Sequence, residues 1–216
     1  MAETNRRLWQ PSPGNFWFWP STSSYPDIRS SIKPGDILLF ASGNKFIEQA
    51  QKARHDYFKS LEKRLPGIVE YDETAWRWTH AAIFVDADHL VCEAMPKGGV
   101  QVASFEQRAA HSEPIKVLRH RDSNEANGRD VAKKAVSYRR RKYNLKDCLN
   151  YVFKGQIPDD AIESLICSTL CARALIDAGM VMNKTKDMPV TPAFLSQAKC
   201  LVAVSFVYLP VATPSG

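Results

Sequence analysis

Apolar runs and alternating stretches of the chain predict β-strands. The continuous apolar run Ile37–Phe40 predicts a buried strand after the turn Pro34-Gly35-Asp36. Alternating positions predict a hairpin, with one strand at about Arg77–Val85, a second at about Leu90–Met95, and Asp86 to His89 as the connection. Further strands are predicted at positions 100–102, 115–118 and 201–209.

Helical periodicity predicts helices between and after these strands. They run from Asn44 to about Lys63, from Ser104 over one short turn, from about Glu125 to Arg141, from Asn144 to Phe153, from about Ser164 to Ala178, and from Thr191-Pro192. Gly179 is suited to end the fifth of them. The sum is an α+β domain with a mixed antiparallel sheet packed against helices.

The first 31 residues differ in composition from the rest. Residues 1–31 are rich in Pro, Ser and aromatic residues, including the run Phe16-Trp17-Phe18-Trp19. We expect this arm to dock its rings on the domain, because a free tail would expose a large apolar patch. Stacking on a sugar or insertion at a membrane interface is the alternative. The predicted domain spans residues 32–210, with a tail at 211–216.

Composition excludes several classes of protein. With 44% hydrophobic and 24% charged residues, the chain is neither collagen-like nor wholly disordered. Its longest apolar stretch, Cys200–Ala212, is interrupted by Ser205 and Pro210 and is shorter than the roughly 20 residues that span a bilayer. Neither a Sec signal nor a CxxC pair is evident, and the cysteine count of five is odd. Synthesis in a reducing cytoplasm is therefore expected.

Positive charge is concentrated in one segment. The net charge is +6, and the segment from Arg119 to Lys142 has nine Lys or Arg against three acidic residues. A basic face of this kind could bind nucleic acid, anionic lipid or an acidic polymer such as cell-wall material. A solvated helix flank explains the same pattern.

The predicted hairpin places His80 close to Glu93. Its connection pairs Ala82 with Glu93, so His80 and Glu93 lie diagonally on one face, within side-chain reach. An imidazole oriented by a carboxylate is the base half of a catalytic triad. A half-buried histidine satisfied by a neighbouring acid is the simpler reading of the pair alone.

Cys167 is the candidate nucleophile. It stands where the predicted helical pattern begins, and free backbone N–H groups and the helix dipole at such a position favour a thiolate. Cys92, Cys148, Cys171 and Cys200 are interpreted as packing residues. Cys167 and Cys171 lack the second ligand cluster of a structural zinc site, so no metal and no cofactor is expected.

A series of short motifs resembles a known family. The motifs are Pro34-Gly35-Asp36-Ile37, Thr79-His80-Ala81-Ala82-Ile83-Phe84-Val85, Cys92-Glu93-Ala94 with Gly99-Val100, Ile166-Cys167-Ser168-Thr169-Leu170, and Val190-Thr191-Pro192. Together they resemble the circularly permuted NlpC/p60-type papain-like cysteine hydrolases, in the YiiX-like branch. The first half is similar to lecithin retinol acyltransferase. Thr169 departs from the family, which usually has an acid at that position.

The resemblance implies a role for each site residue. Cys167 would attack a carbonyl, His80 would act as the base, and Glu93 would orient the imidazole. Tyr143, Thr79 and Ser168 would contribute to substrate binding.

The same resemblance implies hydrolysis of an amide bond, most commonly in peptidoglycan peptides. It also implies an exported antibacterial effector, delivered outside the cell or into a target periplasm, with an inhibitor protein as partner. A lipid acyl hydrolase or acyltransferase with the same residues is the first alternative. A non-catalytic module that binds an anionic polymer is the second, although no nucleic-acid-binding signature is present.

Overall fold

The structure of the chain is a computed structural model. It describes residues 31–41, 49, 51–52, 59–60, 62–63, 66–72, 75–86, 88–109, 114–144, 146, 164–182 and 190–207. The predicted tail, the arm before Ser31, and Cys148 lie outside the described residues. Most of the predicted helices that begin at Asn44 and Asn144 also lie outside them. The predicted division into arm, domain and tail stays a prediction.

The described residues contain eight strands. In chain order these are β1 (Ile37–Phe40), β2 (His80–Phe84), β3 (Leu90–Met95), β4 (Gly99–Ser104), β5 (Ile115–His120), β6 (Lys142–Tyr143), β7 (Ser164–Leu165) and β8 (Leu201–Val207). Six of them form one antiparallel sheet in the order β4-β3-β2-β1-β5-β8. The short strands β6 and β7 form a separate parallel pair.

Four helices with defined bounds accompany this sheet in the described ranges. They are α1 (Phe105–Ala109), α2 (Glu125–Ser137), α3 (Cys167–Asp177) and α4 (Pro192–Gln197), and a 3-10 turn covers Ala75–Arg77. The α+β class and the antiparallel sheet packed against helices are confirmed. None of the helices in these ranges is long and apolar enough to cross a membrane.

Alternate residues of the strands supply two separate cores. On one face, α2 and α3 pack on residues that include Ile37, Leu39, Ala81, Ile83, Cys92 and Ala94. On the other face, Phe105 and Ala109 of α1 pack on residues that include Leu38, Phe40, Ala82, Phe84 and Val91. This alternation is the consequence of the strand period of two. It assigns His80 and Glu93, which share the parity of Ala82, to the face covered by α1.

The predicted end of α2 is wrong by four residues. The helix ends at Ser137 rather than Arg141. The backbone N–H of Arg140 donates to the carbonyl of Val100, and the N–H of Val100 donates to that of Arg141, at 3.0 and 2.9 Å. Arg140 adopts a φ of 70° there. These bonds to β4 draw the chain out of the helix, so tertiary structure overrides the helical pattern.

The predicted start of α3 is also wrong. Ser164 and Leu165 pair with Lys142 and Tyr143 as β7, so the helix starts at Cys167 and not at about Ser164. Its end is as predicted, because Gly179 has a φ of 82° and the N–H of Met180 donates to the carbonyl of Leu175 at 2.9 Å. The shorter helix makes Cys167 its first residue.

Candidate active site

The hairpin of β2 and β3 has the predicted register. Ala82 lies opposite Glu93, and Ile83 and Phe84 lie opposite Cys92 and Val91. His80 and Glu93 are therefore diagonal neighbours. Nε2 of His80 is hydrogen-bonded to Oε2 of Glu93 at 2.9 Å. The ring of His80 also lies beside that of Phe40, with centroids 5.8 Å apart, so packing on β1 limits how far it can turn.

Glu93 is held by three side chains although its own side chain is fully buried. Besides His80, its partners are Gln101 of β4, whose Nε2 donates to Oε1 at 3.0 Å, and Arg108 of α1, whose Nε donates to Oε1 at 2.6 Å. A second Arg108 nitrogen, Nη2, contacts the same oxygen. Burial raises the pKa of Glu93, and the hydrogen bonds from His80 and Gln101 with the charges of His80 and Arg108 outweigh it. The net result is a lowered pKa and an ionised carboxylate.

Cys167 lies at the N-terminus of α3, next to the start of β2. It is close enough to His80 for the charge of the imidazole and a hydrogen bond with it to lower the pKa of the thiol, and the backbone N–H groups of Ala81 and Ser168 act in the same direction. Because Nε2 of His80 is engaged by Glu93, Nδ1 is the ring nitrogen left for the sulfur. Only 8% of Cys167 is exposed, and 16% of the His80 side chain. The structure thus brings the three predicted residues together, with His80 between Cys167 and Glu93.

The charges in this series reinforce one another. Burial lowers the pKa of His80, but the charge and hydrogen bond of Cys167, followed by those of Glu93, raise it overall to about 9. Burial raises the pKa of Cys167, but the charge and hydrogen bond of His80 and the two N–H groups hold it below that of an ordinary thiol. A thiolate beside an imidazolium is the arrangement of an activated cysteine nucleophile.

Two other buried cysteines have a raised pKa, in contrast to Cys167. Burial and the neighbouring charge of Glu93 raise the pKa of Cys92 to about 12, and its thiol donates to the carbonyl of Ala135 at 3.3 Å. Burial and the charges of Cys167 and Cys92 raise the pKa of Cys171 well above its usual value. Both belong to the core beneath α2 and α3. Their thiols are therefore protonated at neutral pH.

The three residues assigned to substrate binding differ in their burial and in their contacts. Thr79 precedes His80 and is buried, with its hydroxyl 3.4 Å from the carbonyl oxygen of Phe40. Ser168 is fully buried, and its hydroxyl donates to the carbonyl of Val190 at 2.8 Å, which ties α3 to the segment before α4. Tyr143 is half-buried on β6 and packs against the core of α2 and α3. Substrate binding by these residues stays a prediction.

Several side chains of the basic segment have partners within the fold. Arg119 binds Asp36 through two nitrogens at 2.7 Å each, and the guanidinium of Arg141 lies 4.5 Å from the centre of the Tyr138 ring. On α2, Arg129 and Lys133 pair with acidic residues of the same helix, Glu125 and Asp130. These pairings reduce the charge that a bound polymer would meet.

Sequence reasoning missed Gln101 and Arg108. Gln101 lies directly opposite Glu93 across β3 and β4, and the Gly98-Gly99 turn was the signal that could have revealed it. Arg108 has no such signal, because its contact depends on how α1 folds back over the sheet. Both residues belong to the group around Glu93.

Comparison with solved structures shows that this chain has a YiiX-like α+β fold. It is similar to the metalloprotein YiiX from Escherichia coli O157:H7, with 16% sequence identity and a TM-score of 0.53. The match covers 82% of this chain and 98% of that one. No family model and no curated protein matches the sequence. The predicted YiiX-like resemblance is confirmed for the fold, whereas the permutation and the relation to lecithin retinol acyltransferase stay predictions.

The residues of the site do not suit a metal ion. Within the ranges given above, no group of three or more His, Cys, Asp or Glu side chains is arranged to hold one. Glu93 already accepts hydrogen bonds from His80, Gln101 and Arg108, and the Arg108 cation would repel a metal beside it. We therefore derive no metal-dependent step for Cys167 or His80.

Proposed function

We propose that this protein is a cysteine hydrolase that cleaves an amide bond through an acyl-enzyme. The observation that supports it is the placement of His80 between Cys167 and Glu93, with a hydrogen bond of 2.9 Å to Glu93. It combines a nucleophile at the start of α3, a base at the start of β2 and an orienting acid on β3. The YiiX-like fold is compatible with a papain-like hydrolase.

In the first half of the reaction, the sulfur of Cys167 attacks the carbonyl carbon of the substrate. The carbonyl electrons move to the oxygen, and backbone N–H groups at the start of α3 stabilise that negative charge. When the carbon–nitrogen bond breaks, the imidazolium of His80 donates its proton to the leaving amine. The acyl group remains on Cys167 as a thioester.

In the second half, water replaces the amine. His80 is now neutral and accepts a proton from the water molecule as its oxygen attacks the thioester carbon. The thiolate then leaves, which releases the carboxylic acid and restores the starting charges. Throughout, Glu93 holds the imidazole in one orientation and stabilises its protonated form.

The pH dependence of Cys167 alkylation tests the state of the thiol. We expect iodoacetamide to label Cys167 at pH 6.5 faster than an ordinary thiol, because a lowered pKa leaves more of the group as thiolate at that pH. Hydrolysis should decline above about pH 9, where His80 loses the proton that the amine needs. Mass spectrometry of the labelled peptides gives the rates, with the half-buried Cys200 as the internal comparison. Equal rates and equal midpoints at Cys167 and Cys200 would contradict an activated thiol.

Peptidoglycan peptide is the substrate that we propose, following the resemblance of the motifs around His80 and Cys167. The purified chain should release peptide fragments with new amino groups from cell-wall sacculi, and Cys167→Ala should release none. Liposomes, with fatty acid release as the readout, are incubated in parallel. If acyl chains are released while the sacculi stay intact, the substrate is a lipid and the amide-bond proposal is wrong.

A further inference from the structure

The two oxygens of the Glu93 carboxylate are used differently. Oε2 is bonded to His80 at 2.9 Å. Oε1 accepts from Gln101 at 3.0 Å and from Nε of Arg108 at 2.6 Å, with Nη2 of Arg108 in contact as well. Both Arg108 contacts go to the same oxygen, so they hold Oε1 in place and leave Oε2 for His80.

We propose that Arg108 is a positioning residue of this site, which turns Oε2 of Glu93 toward His80 and neutralises the net charge of the buried group. This inference rests on the proposed function, because it concerns how the thiolate of Cys167 is maintained. Arg108 contacts Oε1 of Glu93 whereas His80 contacts Oε2, so we expect its effect on the sulfur to pass through these two residues.

The charges of four side chains explain how Arg108 helps to maintain the thiolate of Cys167. In the active state Cys167 and Glu93 are negative, and His80 and Arg108 are positive, so that the group is neutral. Without Arg108 the same buried group would have one unit of negative charge, and an uncompensated charge in a buried site is strongly disfavoured. The thiolate has the higher proton affinity of the two anions. It would therefore take up a proton, and Cys167 would ionise only at higher pH.

Arg108 can be changed without removing the anchor of α1. The helix is held by Phe105 and Ala109, which are 0% and 3% exposed, whereas the Arg108 side chain is 30% exposed. Water can thus reach part of the space that Arg108 fills. Gln101 offers a matched comparison, because it donates to the same Glu93 oxygen but has no charge.

The experiment measures the alkylation rate of Cys167 in the full chain as a function of pH. We expect Arg108→Met to raise the midpoint by about one unit, which lowers the thiolate fraction about tenfold below that midpoint. Arg108→Lys should leave the midpoint close to that of the unmodified protein, because lysine keeps the positive charge. Gln101→Met should shift the midpoint less than Arg108→Met, and Arg129→Met on the exposed face of α2 should leave it unchanged.

The possible results separate this inference from the proposed function. If the unmodified protein has a low midpoint and Arg108→Met leaves it unchanged, the role of Arg108 is overturned but the proposed function is not. An ordinary thiol midpoint in the unmodified protein would overturn the proposed function. If Arg108→Met does not fold by circular dichroism, Arg108→Gln takes its place, since the amide can still donate to Oε1. Equal shifts with lysine and with the neutral variants would contradict a charge effect.

Discussion

Cys167→Ala is expected to abolish hydrolysis, with a loss in kcat of about a thousandfold or more. The reason is chemical, since no other side chain of the described site offers a nucleophile next to His80. Cys167→Ser should also be nearly inactive, because a hydroxyl is not ionised by an imidazolium partner as a thiol is. The rate at which peptides are released from cell-wall sacculi measures the loss.

Cys171→Ala is the matched control for this change. Cys171 lies one turn further along α3, is fully buried, and has a raised pKa through burial and the charge of Cys167. Its replacement should leave kcat per folded molecule close to that of the unmodified protein, at a modest cost in stability. If Cys171→Ala loses activity and Cys167→Ala retains it, the nucleophile has been assigned to the wrong cysteine.

His80→Ala is expected to change two measured quantities strongly, the rate of hydrolysis and the alkylation midpoint of Cys167. Hydrolysis should fall by about a thousandfold or more, because the base and the proton donor are lost together. The alkylation midpoint of Cys167 should rise toward or beyond that of an ordinary thiol, because burial then acts without the compensating charge. Both are measured on the same preparation.

His89→Asn controls for the loss of a histidine from the same hairpin. His89 lies at the hairpin connection with a φ of 57°, a conformation that asparagine tolerates. Both the alkylation midpoint and the turnover should stay unchanged in this variant. If the midpoint of Cys167 in His80→Ala stays as low as in the unmodified protein, the imidazole is not the group that activates the sulfur.

The hairpin could be predicted because its register depends on local information. Side-chain alternation and the connection between β2 and β3 pair Ala82 with Glu93, and one slip would turn the whole apolar set toward the wrong face. The contact of His80 with Glu93 follows from that pairing. The α+β class was also within reach, since periodicity distinguishes strands from helices over most of the described residues.

The boundaries that failed depend on distant partners. Ser164 and Leu165 form a strand of two residues with Lys142 and Tyr143, which is too short to show a period. The end of α2 is set by backbone bonds between Arg140, Arg141 and Val100. The contact of Arg108 with Glu93 required the folded position of α1. In each case the deciding interaction joins residues that no local pattern connects.

The order of the site residues along the chain affects its synthesis. His80, Glu93 and Arg108 belong to one continuous stretch, whereas Cys167 follows much later and is held on the sheet by α3. Because a chain leaves the ribosome from its N-terminus, the nascent protein has His80, Glu93 and Arg108 well before it has the sulfur of Cys167. Under the proposed mechanism, translation must pass α3 before the chain can form an acyl-enzyme.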